Sequence, residues 1–239
     1  MIGSELLDDP RADPVAVGRE LRDIARLNAW FGGTRAVVRE LEPVFRRASQ
    51  LQHATFRIKW TLLDIGMGLG DIPRAVLAAA RRYGIPLRLI GIEVNRTAAR
   101  LARDNDRAVP LAAIVADGGA PPFAPRSVDI VVVSQVLHHL ARAVAIRWIT
   151  ACDRLARRAV VIADLHRSRL AMAGVWTAGL ALGMSRLTRR DAVVSLQRGY
   201  TRAEFAAMLR EAGVPAVARY RPGSRIVAVW TPVDRKGGA

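Results

Sequence analysis

The sequence predicts an α/β fold built on a doubly wound parallel sheet, and three observations carry that prediction. Apolar runs of five to eight residues alternate with helical patterns from Thr61 onward, the first run ends in a glycine-rich turn, and the last two runs are joined by a turn too short for a crossover. Continuous apolar runs separated by helices mark strands buried on both faces. In order they are "TLLDIG", "LRLIGIEV", "LAAIVAD", "VDIVVVSQ", "AVVIADL", "AVARYR" and "RIVAVWTP". The "PGS" turn at 222–224 forces the final pair to be antiparallel neighbours, so seven strands result with the last one reversed.

The helices between the strands have legible ends. Asp71 and Pro73 can open the first, and Asn95 can cap "RTAARLARDND". Thr201 and Glu204 have capping-box spacing before "FAAMLREAG", which stops at Gly213. Two segments stand outside the alternation. Residues 14–50 read as two helices broken at Gly32-Gly33, so residues 1–52 form an N-terminal helical cap ahead of a main domain at 53–239. Residues 168–200 are a long excursion between a strand and the next helix, which reads as a helical lid insertion.

Composition sets further bounds. The chain has 239 residues, 51% of them hydrophobic, enough for a sizeable core. A single cysteine, Cys152, excludes an internal disulfide, and four scattered histidines give no metal-ligand spacing, so no metal site is expected. The opening "MIGSELLDDPRADP" lacks a secretory apolar stretch, and a cytoplasmic location is the expectation. The longest apolar run, residues 171–184, is shorter than the roughly 20 residues that span a bilayer. The formal charge of +16 is carried almost wholly by arginines dispersed along the chain, which disfavours nucleic acid as a partner.

The glycine loop "DIGMGLGD" follows the first strand, where a doubly wound sheet binds its ligand. Its spacing is GxGxG, and Asp64 and Asp71 flank Gly66, Gly68 and Gly70. Two carboxylates would repel a dinucleotide's pyrophosphate but suit a ligand bearing an ammonium and a sulfonium, which points to S-adenosylmethionine. Glu93 closes the second strand, where a carboxylate can accept from ribose hydroxyls, and Asp117 closes the third, where it can accept from an adenine amino group.

The segments "LLDIGMGLGDIP", "GIEV", "VADGGAPPF" and "SVDIVVVSQVLHHL" resemble the successive motifs of class I S-adenosylmethionine-dependent methyltransferases, in particular the small-molecule branch that includes the ubiquinone and menaquinone biosynthesis enzymes. The resemblance implies a Rossmann-like seven-stranded sheet and S-adenosylmethionine as cofactor. It implies cofactor contacts from Gly66, Met67, Gly68, Gly70, Glu93, Val94, Asp117, Gly118, Ser134 and Gln135 beside Asp64 and Asp71. Met67 stands where a smaller or hydroxylated residue is commoner in the family and should alter the packing near the cofactor.

Methyl transfer is an in-line displacement, for which a protein supplies alignment, desolvation and sometimes a base. The base candidates lie at the ends of strands four and five: His138 and His139 in "SQVLHHL", and Asp164 and His166, with Arg167, in "ADLHRS". No (Asn/Asp)-Pro-Pro-aromatic motif follows strand four, which argues against methylation of nucleobase amino groups. The expected acceptor is an oxygen or activated carbon of a hydrophobic small molecule of aromatic, quinone, polyketide or isoprenoid kind. Trp30, Phe31, His139, Arg167, Trp176 and Met184 are the residues expected to line its pocket. Peripheral contact with a membrane and a homodimer are further expectations. A non-methylating reaction on the same fold, such as cyclisation or decarboxylation, and an RNA-associated role are the competing readings.

Overall fold

The computed structural model describes residues 5–9, 11–51 and 59–233. Two helices lead, α1 (Pro14–Trp30) and α2 (Gly33–Leu51); then come β1 (Trp60–Ile65), α3 (Asp71–Arg82), β2 (Leu87–Glu93), α4 (Arg96–Asp104), β3 (Leu111–Val115) and β4 (Val128–Ser134). The chain continues with α5 (Arg142–Leu155), β5 (Ala156–Leu165), α6 (Arg169–Ala181), α7 (Arg186–Arg198), α8 (Arg202–Glu211), β6 (Arg219–Arg221) and β7 (Arg225–Trp230).

The strands form one seven-stranded sheet in the order β3-β2-β1-β4-β5-β7-β6. Neighbours from β3 through β5 are parallel, and β7 runs antiparallel to both β5 and β6. The reversal at β7 follows from the tight β6–β7 turn, where Gly223 takes a φ of 78° and Ser224 one of 54°. Strand order changes direction between β1 and β4, so the crevice above their carboxyl ends is where a ligand site is expected.

Alternation along the strands divides the core into two layers. Leu63, Ile65, Val131 and Val133 face α5 and α8, meeting Ile149, Phe205 and Met208. Leu62, Ile130, Val132 and Val161 face α2 and α3, meeting Val37, Leu41, Phe45 and Val76. Helix α2 is thus part of a sheet layer, not an appendage to it. The boundary expected at 52/53 falls within residues 52–58, outside the described residues.

The caps act as their residue types dictate. The Asn95 side chain accepts from the Thr97 and Ala98 amides, and Thr201 and Glu204 form a reciprocal capping box. At α3 the cap position is Gly70, in the left-handed conformation, with Asp71 as the first helical residue.

The excursion at 168–200 is a hairpin of α6 and α7, and α7 is fastened to the N-terminal segment by buried polar contacts. The Thr188 hydroxyl donates to Glu20 of α1 at 2.6 Å, the Leu6 amide donates to Asp191 at 2.8 Å, and the Ser195 hydroxyl donates to Glu5 at 2.7 Å. Glu20, Asp23 and Asp191 are all buried there. Burial pushes the Glu20 carboxyl up to about 7 from 4.5, opposed by the Thr188 bond and reinforced by Asp191 and Asp23. The folded state therefore favours the protonated acid, and this contribution to stability is complete below pH 4.5 and lost as pH rises through 7. Glu20→Gln keeps the acceptor for Thr188 without the charge. Its melting temperature should match the parent at low pH and exceed it above neutrality, by the equivalent of about 1–2 kcal/mol. A pH-independent difference between the two proteins would refute this account.

Candidate functional site

A cavity of about 570 Å³ opens above the carboxyl ends of β1, β2, β3 and β4, roofed by α1, α6 and α7. The glycine loop forms its floor. Gly66, Gly68 and Gly70 have φ of 75°, 52° and 71°, a conformation in which a Cβ is strained. A Cβ on Gly66 would lie 2.4 Å from the Val136 side chain, so the turn also needs glycine for space. Met67 is buried and lies across Gly91 of β2, where a Cβ would fall 2.0 Å from its sulfur. The large residue in the loop is accommodated because the neighbouring strand has no side chain at that point.

Three carboxylates converge on this floor. Asp64 is buried and lines the cavity, and its Oδ1 has no hydrogen-bond partner among the described residues. Burial, with the nearby charges of Asp71 and Glu93, raises its pKa well above the ordinary carboxylate range. Burial likewise raises Asp71 and Glu93, although Asn28 donates to Asp71 at 3.2 Å and the Gly68 and Asn95 amides donate to Glu93 at 3.2 and 3.1 Å. Desolvated carboxylates that repel one another are most simply relieved by a bound cation. The floor therefore fits the sulfonium and ammonium of S-adenosylmethionine and does not fit a pyrophosphate.

Val94, Asp117 and Gly118 continue the lining past β2 and β3. Asp117 accepts from the Gly119 amide at 2.8 Å, and Gly118 is pressed between Ile65 and the Trp148 indole, where a Cβ would come within 2.5 Å of both. Trp148 of α5, part of the core layer beneath the sheet, also lines the cavity. After β4, Ser134 and Gln135 line the wall. Gln135 holds a φ of 57°, unusual for a side-chain-bearing residue. It is fixed by donating to Asn28 and by accepting from the buried Arg225 guanidinium at 2.6 Å.

His138 and His139 occupy a short 3-10 turn, Leu137–His139, and both line the cavity. His138 Nδ1 lies 2.6 Å from Asp164 Oδ1, and both side chains are buried. Burial alone would raise the Asp164 carboxyl, but the charge and hydrogen bond of His138 outweigh it and its pKa is lowered. With Nδ1 held, the buried Nε2 of His138 has no partner. An imidazole oriented by a carboxylate at a cavity wall, with its second nitrogen unpaired, is a base in position. The Tyr200 hydroxyl braces the turn by donating to the Leu137 carbonyl at 2.7 Å.

His139 is differently engaged. Its Nδ1 is 2.8 Å from Asp8, and Arg198 pairs with Asp8 at 2.9 Å and with Glu5 at 3.1 Å. Burial disfavours the His139 imidazolium, yet Asp8 and Glu5 prevail and raise its pKa. Glu5, His138 and His139 each offer a ligand atom within 4.8 Å of the others, so a potential metal-binding group exists that the histidine spacing did not suggest. Both Glu5 oxygens, however, already accept from Arg198 and Ser195, which makes the group an ion-pair network rather than an open metal site.

Several residues expected in the acceptor pocket stand elsewhere. Trp30 is 73% exposed, because the face of α1 turned to the cavity carries Leu21, Ile24, Leu27 and Asn28 and continues to Phe31, which does line it. Trp176 lies off the Ala171, Gly174 and Val175 face of α6 and stacks on Arg189, 4.8 Å from its ring. Met184 is buried in the α6–α7 turn. His166 stacks on Tyr220 with ring centroids 4.3 Å apart, and Arg167 pairs with Glu204 at 3.1 Å; neither reaches the cavity wall. Gly70 caps α3 and is also absent from the wall. Asn28, Trp148 and Arg225 are among the lining residues that motif reading missed, since none belongs to a recognisable spacing.

Residues 63–163 match the family model described as "Methyltransferase domain". No curated protein sequence matches the chain. Among solved structures, an S-adenosylmethionine-dependent methyltransferase from Aquifex aeolicus superposes with a TM-score of 0.57 at 15% identity, covering 92% of this chain and 99% of that one. Magnesium protoporphyrin IX methyltransferase from Synechocystis, solved with bound S-adenosylhomocysteine, gives 0.53 at 14% identity over 88% and 84% of the two chains. The methyltransferase domain of the citrinin polyketide synthase gives 0.56 at 14% identity over 80% of this chain and 51% of that one, so the chain matches only about half of that structure. The acid-lined glycine loop, the reversed last strand and the match agree: residues 63–163 carry a methyltransferase domain, and the chain shares the fold of S-adenosylmethionine-dependent methyltransferases.

Proposed function

We propose that this enzyme methylates an oxygen of a hydrophobic small molecule, with His138 as general base. The observation that carries the reading is the buried Asp164–His138 pair at the cavity wall, which orients the imidazole and leaves its Nε2 without a hydrogen-bond partner among the described residues. S-adenosylmethionine supplies an electrophilic methyl group, with S-adenosylhomocysteine as the product left behind. Asp64 and Asp71 would hold its cationic part, with Gly66, Met67 and Gly68 close beneath, while Glu93 would accept from the ribose hydroxyls and Val94, Asp117, Gly118 and Trp148 would hold the adenine end. His138 takes the proton of the acceptor hydroxyl, and Asp164 stabilises the imidazolium that forms. Ser134 and Gln135 shape the wall between cofactor and acceptor.

The acceptor end of the cavity supports the substrate class. Leu7, Leu21, Ile24, Leu27, Phe31 and Val175 present apolar surface there, while the α6–α7 hairpin closes over it as a lid and excludes water. Neighbours in fold that act on polyketide or tetrapyrrole acceptors are consistent with this class. A cytoplasmic enzyme agrees with its single buried cysteine, Cys152. Among the described residues no helix is long and apolar enough to cross a membrane.

Two measurements test the assignment. In calorimetric titration, Asp64→Asn should bind S-adenosylmethionine about tenfold or more weakly, since one charge-assisted contact is lost; unchanged affinity would remove Asp64 from the cofactor site. With hydrophobic phenols and enols as acceptors, S-adenosylhomocysteine should accumulate in step with methylated product. His138→Gln should lower kcat by about 10²–10⁴-fold with S-adenosylmethionine affinity retained. Cofactor binding without S-adenosylhomocysteine formation on any acceptor would favour the non-methylating reading, and full activity of His138→Gln would end the base assignment.

A further inference from the structure

Helix α6 is apolar almost all round yet exposes most of its surface. From Leu170 through Ser185 there is no charged residue, in a chain that is 24% charged. Only Gly179 of the helix is buried, while Leu170 is 87% exposed and Leu180 64% exposed. Leu170, Ala173, Thr177 and Leu180 recur at helical spacing, so they form one outward stripe. The single hydroxyl on it, that of Thr177, donates to the Ala173 and Gly174 carbonyls of its own helix, which removes its demand for water. Trp176 flanks the stripe, half exposed. A helix with this composition is ordinarily covered.

The surroundings of the helix state the chemistry of the cover. At the tip of the α6–α7 hairpin, Gly183 and Ser185 share a depression with buried Asp23 and with Arg19, Arg22 and Arg26, an exposed i, i+3, i+7 row on α1 in which Arg26 pairs with Asp23 at 3.2 Å. Arg186 and Arg190 stand exposed on α7 beside it. A second copy of the chain, related by a two-fold axis, would set these arginines against themselves in a protein already at +16. An anionic bilayer answers both features, taking leucines into its acyl boundary and arginines among its phosphates.

We propose that the outer face of α6, with the arginine row of α1, docks this enzyme on an anionic lipid surface. Ala171 and Val175, turned away from the stripe on the same helix, line the cavity, so docking places the acceptor entrance at the bilayer. Only this last consequence rests on the hydrophobic-acceptor reading; the docking itself does not.

The experiment is flotation of the full chain with vesicles of phosphatidylcholine alone or with one third phosphatidylglycerol, in the absence of any acceptor. The parent protein should partition at least about tenfold more strongly onto the anionic vesicles. The double variants Leu170→Asp/Leu180→Asp and Arg19→Glu/Arg22→Glu should each lose about tenfold or more of that binding, with S-adenosylmethionine titration showing that each remains folded. As a second readout on the unaltered surface, brominated lipid should quench tryptophan emission, and Trp176→Phe should remove most of the effect. Failure to bind anionic vesicles overturns the proposal. So does binding that the leucine variant leaves intact, or a dimer in solution that the leucine variant dissociates, which would make a second copy the cover. Methyl transfer to a water-dispersed acceptor is scored separately, so loss of docking and loss of the proposed activity are distinguishable.

Discussion

Buried like charge at the ends of two adjacent parallel strands governs the rest of this site. Asp64 is buried near the end of β1, Glu93 closes β2 and Asp71 opens the helix after the glycine loop, both half-buried, and each of the three is pushed toward its protonated form. Concentrating carboxylates in this way costs stability unless a cation is bound, so the arrangement makes sense as a preformed receptor. The sheet makes such a receptor available because its central strands are covered on both faces and end together at the point where strand order reverses. Glycines then let the backbone turn beneath the ligand without a side chain in the way.

The same principle of an oriented charge recurs in the His138–Asp164 pair, with a different outcome. Here a carboxylate is matched by one ring nitrogen and the other nitrogen is left without a partner among the described residues. Next to it, His139 is drawn into a network with Asp8, Glu5 and Arg198 that ties the N-terminal segment to α7. Adjacent histidines in one short turn thus do separate work, one presented to the cavity and one holding its roof. The α6–α7 hairpin completes the enclosure and shows two faces of unlike fate, an inner one that shapes the cavity and an outer one left apolar in solvent.

Much of this was legible in the residue order. Parallel strands, reversed β7, the capping box at Thr201 and Glu204, and the Asn95 cap follow from local chemistry, since apolar runs, turn length and side-chain hydrogen bonds act over a few residues. The acid at each strand end was legible for the same reason. Side-chain direction was harder. Trp30 and Phe31 are neighbours in sequence, and only the rotation of α1 against the sheet turns Phe31 to the cavity and Trp30 to solvent. His166 and Arg167 follow β5 as expected but are claimed by Tyr220 and Glu204, partners that no local pattern announces.

The sequence by itself determined the order of strands and helices, the glycine loop and the acids that flank it, because each depends on interactions between residues close along the chain. Tertiary structure alone decided what those groups meet. It set Met67 over Gly91, locked Gln135 between Asn28 and Arg225, joined His138 to Asp164 across 26 residues, and left the apolar stripe of α6 uncovered. Each of these is a contact between distant segments, fixed by how whole layers pack rather than by any preference of the residues on their own.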